Sequence, residues 1–146
     1  MMNKIIRTTL IALLLTFAAH AAAQQGLQIA TVFQKYGKQK GVTMVELSNE
    51  MLETYQMTLY KSLVFKDVND ALPTILRCLE ADKKKVKEVV SNGQIKSGYY
   101  QLPQLKEDVN RFILFKTGKK DSATLIYIEG ELDADDLITM LFMKKE

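Results

Sequence analysis

The 146-residue chain carries 20 Lys and Arg against 17 Asp and Glu, a formal charge of +3, with 47% hydrophobic residues, one His and one Cys. A quarter of the residues are charged, which excludes a polytopic membrane protein and a disordered acidic tail. The length predicts a single domain.

The first two dozen residues read as a secretory signal. Lys4 and Arg7 precede an apolar stretch over 10–19 centred on Leu13, Leu14, Leu15 and Phe17, and Ala21-Ala22-Ala23 offers an A-x-A cleavage site before Gln24. A membrane span needs about 20 consecutive apolar residues, and His20 interrupts this stretch at about half that length. No cysteine stands at the cleavage point to carry a lipid anchor. The expectation is a cleaved signal over 1–23 and one globular domain over 24–146, exported to the periplasm or beyond, with no membrane span in the mature chain. Cleavage removes Lys4, Arg7 and His20, leaving 123 residues with 18 cations against 17 anions, a net charge of +1.

A mature chain without histidine has no imidazole base, no Ser-His or Cys-His pair and no His metal ligand. Cys78, the only thiol, can form neither an intramolecular disulfide nor a thiolate cluster.

Ile29, Val32, Phe33 and Tyr36 follow the i, i+3, i+4, i+7 stripe of a helix, stopped at Gly37. The partly alternating 42–47 predicts a strand. Ser48 or Asn49 then caps a predicted second helix with Met51, Leu52, Tyr55 and Leu59 facing inward. The apolar run 63–65 predicts a short second strand. A long helix is predicted from Asn69 or Asp70, with Pro73 in its first turn, to a stop at Asn92-Gly93. Its stripe is Leu72, Ile75, Leu76, Leu79, Val86, Val89 and Val90, and Glu80 to Lys84 is a favourable i, i+4 pair.

The last third predicts strands over 99–102, 111–116 and 123–129, the first ended by Pro103 and the third by Gly130. The polar turn 117–121 joins the last two as an antiparallel hairpin. Asp133 caps a closing helix with Leu137, Ile138, Leu141 and Phe142 inward, and Asp135 and Asp136 lie against its positive end. The order α-β-α-β-α-β-β-β-α predicts an α+β fold, one mixed and largely antiparallel sheet of four to five strands with helices packed on it.

Residues with a capacity for binding are few. Lys83, Lys84, Lys85 and Lys87 lie opposite the apolar stripe of the predicted long helix. With Lys116, Lys119, Lys120, Lys144 and Lys145 they could meet anionic lipid or glycan, although a solvated helix face has the same pattern. The mature charge of +1 and export both argue against a nucleic-acid partner. Tyr99 and Tyr100 follow Gly98, and strand alternation sends one to the core and the other to the surface or an interface. Tyr99, Tyr100, Lys83, Lys84 and Lys87 are therefore the candidate interaction residues.

The acidic run Glu129, Glu131, Asp133, Asp135 and Asp136 does not make a calcium loop, because Asp136 stands where glycine is needed and Phe142 where glutamate is. It reads as a strand end followed by an acid-rich helix start. Met51, Met57, Met140 and Met143 are expected as core fillers and Cys78 as a semi-buried thiol. No G-x-S-x-G, S-x-x-K or phosphate-cradling glycine loop occurs, so no catalytic residue, metal ligand or cofactor is expected.

Two segments carry a family resemblance. Val32-Phe33-Gln34-Lys35-Tyr36-Gly37, continuing through Gly41 to Val42-Thr43-Met44-Val45 and on to Leu52, resembles the start of a family of small exported proteins from Gram-negative anaerobes classed as a domain of unknown function. Leu125-Ile126-Tyr127-Ile128-Glu129-Gly130-Glu131-Leu132-Asp133, continuing to Leu141, resembles its ending. The resemblance implies an envelope address and an α+β fold; it implies no activity and no site residues. The leading expectation is a non-enzymatic module that binds another envelope protein or a glycan. A small hydrolase or lyase using carboxylates or lysine is the alternative, and peripheral contact with anionic lipid or glycan through the lysines is a third.

Overall fold

The computed structural model describes residues 26–48, 52–83 and 85–143. The expected signal peptide, Asn49, Met51, Lys84, Lys144 and Lys145 lie outside them. In chain order the elements are α1 (Ile29–Tyr36), β1 (Val42–Ser48), a 3₁₀ turn (Glu53–Tyr55), β2 (Met57–Phe65), α2 (Leu72–Asp82), β3 (Lys85–Ser91), β4 (Gln94–Lys106), β5 (Val109–Thr117), a 3₁₀ turn (Lys119–Asp121), β6 (Ala123–Gly130) and α3 (Ala134–Met143).

The fold is α+β, as expected, but among the described residues the sheet has six strands rather than four to five, and every pairing is antiparallel. Its order is β1-β2-β6-β5-β4-β3. β2 stands second and β3 stands at the far edge, so α2 carries the chain across the sheet. β6 then enters the gap between β2 and β5, which is why its residues are buried or half-buried throughout.

Two expected helices are corrected. Where a helix was predicted after Ser48, the described residues form a single 3₁₀ turn that ends in the left-handed Gln56 (φ 59°), followed by the nine-residue β2. Leu59, expected on the inner face of that helix, is a buried β2 residue opposite Glu129. Met57, Thr58, Tyr60 and Val64 favour a pleated, two-sided strand, and β2 satisfies its backbone on both flanks, against β1 and β6.

The predicted long helix is split. α2 stops at Asp82, with Lys83 extended (φ −66°, ψ 142°), and Val86, Val89 and Val90 belong to β3 instead. Asn92 (φ 54°) and Gly93 (φ 76°) are both left-handed, so the dipeptide expected to stop a helix is the two-residue hairpin turn between β3 and β4. Three β-branched valines in seven residues suit a strand, and the turn supplies it with a partner. This hairpin contributes the additional strand.

β4 likewise runs through Pro103 instead of ending there. Proline is tolerated because β3 reaches only to Gln101, and the pairing with β5 is irregular between Leu102 and Lys106. The predicted pair of strands joined at 117–121 forms as the antiparallel β5–β6 hairpin.

Caps follow a mixed pattern. α2 starts after Ala71, without the side-chain cap expected from Asn69 or Asp70; the Asn69 N–H donates to Asp67 Oδ1 (2.9 Å) in the preceding loop. Pro73 does fall in its first turn. Asp133 caps α3 as expected, its Oδ1 accepting the Asp136 N–H at 2.8 Å. The most consequential cap comes from a distant residue. Asp82, buried at the end of α2, accepts the N–H groups of Gln28 (2.8 Å) and Ile29 (2.7 Å) and so anchors the start of α1 to the end of α2.

The sheet separates two apolar layers. On one side α1 brings the expected Ile29, Val32, Phe33 and Tyr36, and α2 brings Ile75, Cys78 and Leu79, over Leu63, Phe65, Tyr100, Ile113, Phe115, Leu125 and Tyr127. On the other side Met57, Phe112 and Ile128 pack with Leu52, Leu132 and Leu137 of α3, flanked by half-buried Leu47, Tyr60, Tyr99, Leu114 and Ile126.

Candidate functional site

A cleft of about 280 Å³ opens where the β3–β4 turn, the β5–β6 loop and the loop entering α2 converge. Val68, Leu72, Leu76 and Ile95 give it an apolar floor, and Asn69, Gln94, Lys96, Thr117, Asp121 and Ser122 give it a polar rim. Local chemistry builds it. The Asn92-Gly93 hairpin sets Gln94, Ile95 and Lys96 at its edge. The Thr117 hydroxyl donates to the carbonyls of Ile95 (3.2 Å) and Lys96 (3.3 Å), tying β4 to the end of β5. The Val68 N–H donates to the Asp121 carbonyl (2.8 Å) and fixes the loop entering α2.

Three of the five non-glycine residues with positive φ, Asn92, Lys120 and Asp121, lie in the two turns that border this cleft. Asn and Asp adopt the left-handed region at little cost, whereas a lysine there is held by its surroundings. A second, more open cleft of about 260 Å³ lies between the turn at Thr54, Tyr55 and Gln56 and the start of α3 at Leu132 and Asp136.

The most heavily buried charges lie elsewhere. Arg111 and Glu129 face each other across β5 and β6 and are only 4% and 5% exposed. The Tyr127 hydroxyl donates to Glu129 Oε2, and Arg111 Nε donates to the Pro103 carbonyl (2.7 Å). Burial pushes the Glu129 carboxyl above its ordinary range, opposed by the Tyr127 hydrogen bond and the charges of Arg111 and Lys61. Burial, with the Glu129 hydrogen bond and charge behind it, pushes the Tyr127 phenol well up. A carboxylic acid with a raised pKa is what general acid catalysis uses. Glu129 lines neither cleft, however. Its position, in the core beside a phenol donor and within reach of the Arg111 charge, is a structural one.

Tyr99 and Tyr100 fall on opposite faces of the sheet. Tyr100 is 1% exposed in the layer beneath the helices, and its hydroxyl donates to Glu88 Oε1 (3.1 Å). Its ring lies over Gly98, where a Cβ would stand 2.5 Å from the phenol, so Tyr100 needs a glycine two residues before it. Burial and the Glu88 charge push this phenol well up. Tyr99 is half-buried and stacked on Phe112, centroids 5.9 Å apart. Its hydroxyl is buried with no hydrogen-bond partner among the described residues, and burial, then the charges of Asp135 and Asp133, push it up.

The lysines do not share a helix face, because the helix meant to present them ends at Asp82. Lys83 pairs with Glu80 at 2.6 Å. Lys84 lies outside the described residues. Lys85 and Lys87 stand on β3, in register with Gln101 and Tyr99. Lys83 lines neither cleft, whereas Lys96 lines the first. Lys96, Asp121 and the floor were missed by the sequence reading, and the signal that places them is the Asn-Gly turn read as a hairpin.

Among the described residues no group of three His, Cys, Asp or Glu is arranged to hold a metal, and no helix is long and apolar enough to cross a membrane. Cys78 is buried, its sulfur 4.0 Å from the Thr31 hydroxyl.

Among the described residues these features define an α+β protein: a six-stranded antiparallel sheet, two helices on one face, a third at the other, and a loop-built cleft at one end. The chain belongs to DUF6108, a family of unknown function, whose pattern it matches over residues 16–141. No curated protein and no solved structure matches it.

Proposed function

We propose that the protein is an exported, non-enzymatic binding module of the cell envelope, which seats a short segment of an envelope partner, a protein loop or a glycan, in the cleft at the turn end of the sheet. The observation carrying this reading is the make-up of that cleft. Three loops distant in sequence bring an apolar floor and a rim of amides, hydroxyls and two opposite charges to one place. Ligand sites combine an apolar lining with a few orienting polar groups in this way, and about 280 Å³ lies just under their usual range, which suits a short segment. Export rests on the leader-like first 23 residues, and the non-enzymatic reading on the absence of histidine after them.

Lys96 and Asp121 are the ionisable residues in the cleft, and the hydrolase or lyase alternative rests on them. Shift changes in a ¹⁵N-labelled sample titrated with envelope glycan fragments and peptides test the proposal. Perturbations are expected at 93–96, 68–76 and 117–122, and Leu76→Arg should abolish them. Perturbations confined to other surfaces, or none with any fragment, overturn it. Turnover of a fragment, lost in both Lys96→Ala and Asp121→Asn, would establish the enzymatic alternative. Amino-terminal sequencing of envelope-fraction protein should begin at Gln24.

A further inference from the structure

The loops at the two ends of the sheet differ in charge. The end that holds the cleft gathers the start of β1, the end of β2, the β3–β4 turn and the β5–β6 loop. Lys38 and Lys40 precede β1 and Lys66 follows β2. Lys96 stands near the start of β4, and Lys116, Lys119 and Lys120 lie at and just beyond the end of β5. All seven lysines are exposed, and among the described residues none is paired with a carboxylate. Asp67, Asp70 and Asp121 oppose them, so seven cations against three anions leave this end at +4. The Asp67 carboxylate already accepts the Asn69 N–H. At the other end the loops carry Glu53, Glu107, Asp108, Glu131 and Asp133. The protein is polarised along its strands and is positive where the cleft opens.

Lys96 reaches the cleft through a break in register. Val89 of β3 stands opposite Ser97 and Val90 opposite Ile95, so Lys96 is the extra residue of a bulge. A bulge re-aims the side chain it carries, and the Thr117 hydroxyl pins this one through the Ile95 and Lys96 carbonyls. Asp121 stands on the same rim. These two charges offset each other, so the lysines around the cleft decide its sign.

We infer, on the binding reading above, that the ligand of this cleft is an acidic peptide segment of a partner protein. One aliphatic side chain sits on the floor, and the carboxylates flanking it meet Lys96, Lys119 and Lys120. Val68, Leu72, Leu76 and Ile95 make the floor branched and aliphatic, and among the described residues no aromatic ring lines the cleft. Such a floor holds a leucine or valine side chain by close contact, whereas a sugar is usually held with its flat face on an aromatic ring. Asn69, Gln94 and Ser122 on the rim offer hydrogen-bond partners to peptide groups. Asn92, Gly93, Lys119 and Lys120 at the loop tips bring no apolar side chain that could enter a bilayer. Charge therefore selects an anion, and the floor selects a peptide among anions.

Short peptides with a central leucine flanked by glutamate, by glutamine or by lysine, titrated into the ¹⁵N-labelled protein at low salt, test this. The glutamate peptide should shift 93–96 and 117–122 and bind about tenfold more tightly than the glutamine peptide, as a few partly screened charge pairs allow. Salt raised to about 1 M, where the screening length is about 3 Å, should erase that advantage. Lys96→Gln should weaken the glutamate peptide and leave the glutamine peptide unchanged; an equal loss for both overturns recognition by charge. Equal affinity of all the peptides at the cleft overturns the acidic ligand and leaves the binding reading standing. Tighter binding of the lysine peptide overturns it too and assigns selection to Asp121. Cleft shifts with oligogalacturonate but not with the glutamate peptide overturn it in favour of an anionic glycan, and shifts with phosphatidylglycerol vesicles alone in favour of a membrane surface. No shift with any of these probes overturns the acidic ligand and the binding reading together.

Discussion

Tyr127, Glu129 and Arg111 show how a single buried site constrains its neighbours. Glu129 is held away from water, and its hydrogen bond from Tyr127 and the charge of Arg111 compensate for lost hydration. Tyr127→Phe leaves the carboxyl short of a donor and should cost about 1–3 kcal/mol, read from chemical unfolding. Arg111→Ala removes the charge that offsets the burial of Glu129 and the hydrogen bond to the Pro103 carbonyl, and should cost about 1–3 kcal/mol, read in the same way. Tyr99 presents the opposite case. Its hydroxyl is buried with no partner among the described residues, beside the charges of Asp133 and Asp135. Tyr99→Phe keeps the ring on Phe112 and removes the unmatched group, so the melting temperature should rise, by an amount equivalent to about 1 kcal/mol. A fall would show that the hydroxyl has found an acceptor. None of this was legible in the sequence, where alternation told only that Tyr99 and Tyr100 take opposite faces.

At the scale of elements, legibility followed the strength of local pattern. The stripe of α1 and the Asp133 cap of α3 were read correctly, because each depends on neighbours within one or two turns. The split of the long predicted helix was not, because valines at 86, 89 and 90 fit a helical spacing and a strand equally well. What decides is distant. Asp82 is engaged by the start of α1, more than fifty residues earlier in the chain, and the following residues find hydrogen-bonding partners in β4. Asp82→Ala should therefore loosen the docking of α1 on α2 at a cost of about 1–2 kcal/mol, the range of a lost helix cap. Faster hydrogen exchange at the start of α1 is the local sign. Gly93→Ala tests the hairpin: at φ 76° a Cβ is disfavoured, and the change should cost about 1 kcal/mol, whereas the helix stop predicted from sequence would place that loss on α2.

Across the whole molecule, pH reports how the core holds its phenols. Tyr100 and Tyr127 are both raised well above the ordinary tyrosine value of 10.0, first by burial and then by a neighbouring glutamate. In the unfolded chain they ionise near that ordinary value, while in the folded chain they keep their protons. The folded state therefore binds more protons above pH 10, and stability present below that pH is lost as pH rises beyond it. The slope should approach about 1.4 kcal/mol per pH unit for each phenol. Unfolding followed by tyrosine absorbance should show the phenols titrating together with loss of structure, and Tyr127→Phe should shallow the slope. Independent titration of both phenols in a folded chain would contradict the burial.

The sequence by itself determined the α+β class, the position of α1, the β5–β6 hairpin and the acid-capped last helix, since each is written in short-range periodicity, turn chemistry or a cap. Only the tertiary structure decided that β6 enters between β2 and β5, that residues 85–91 form an edge strand, and that three loops distant in sequence enclose a cleft. Those outcomes depend on backbone groups pairing across long stretches of chain and on buried charges finding distant partners, and a local pattern carries neither.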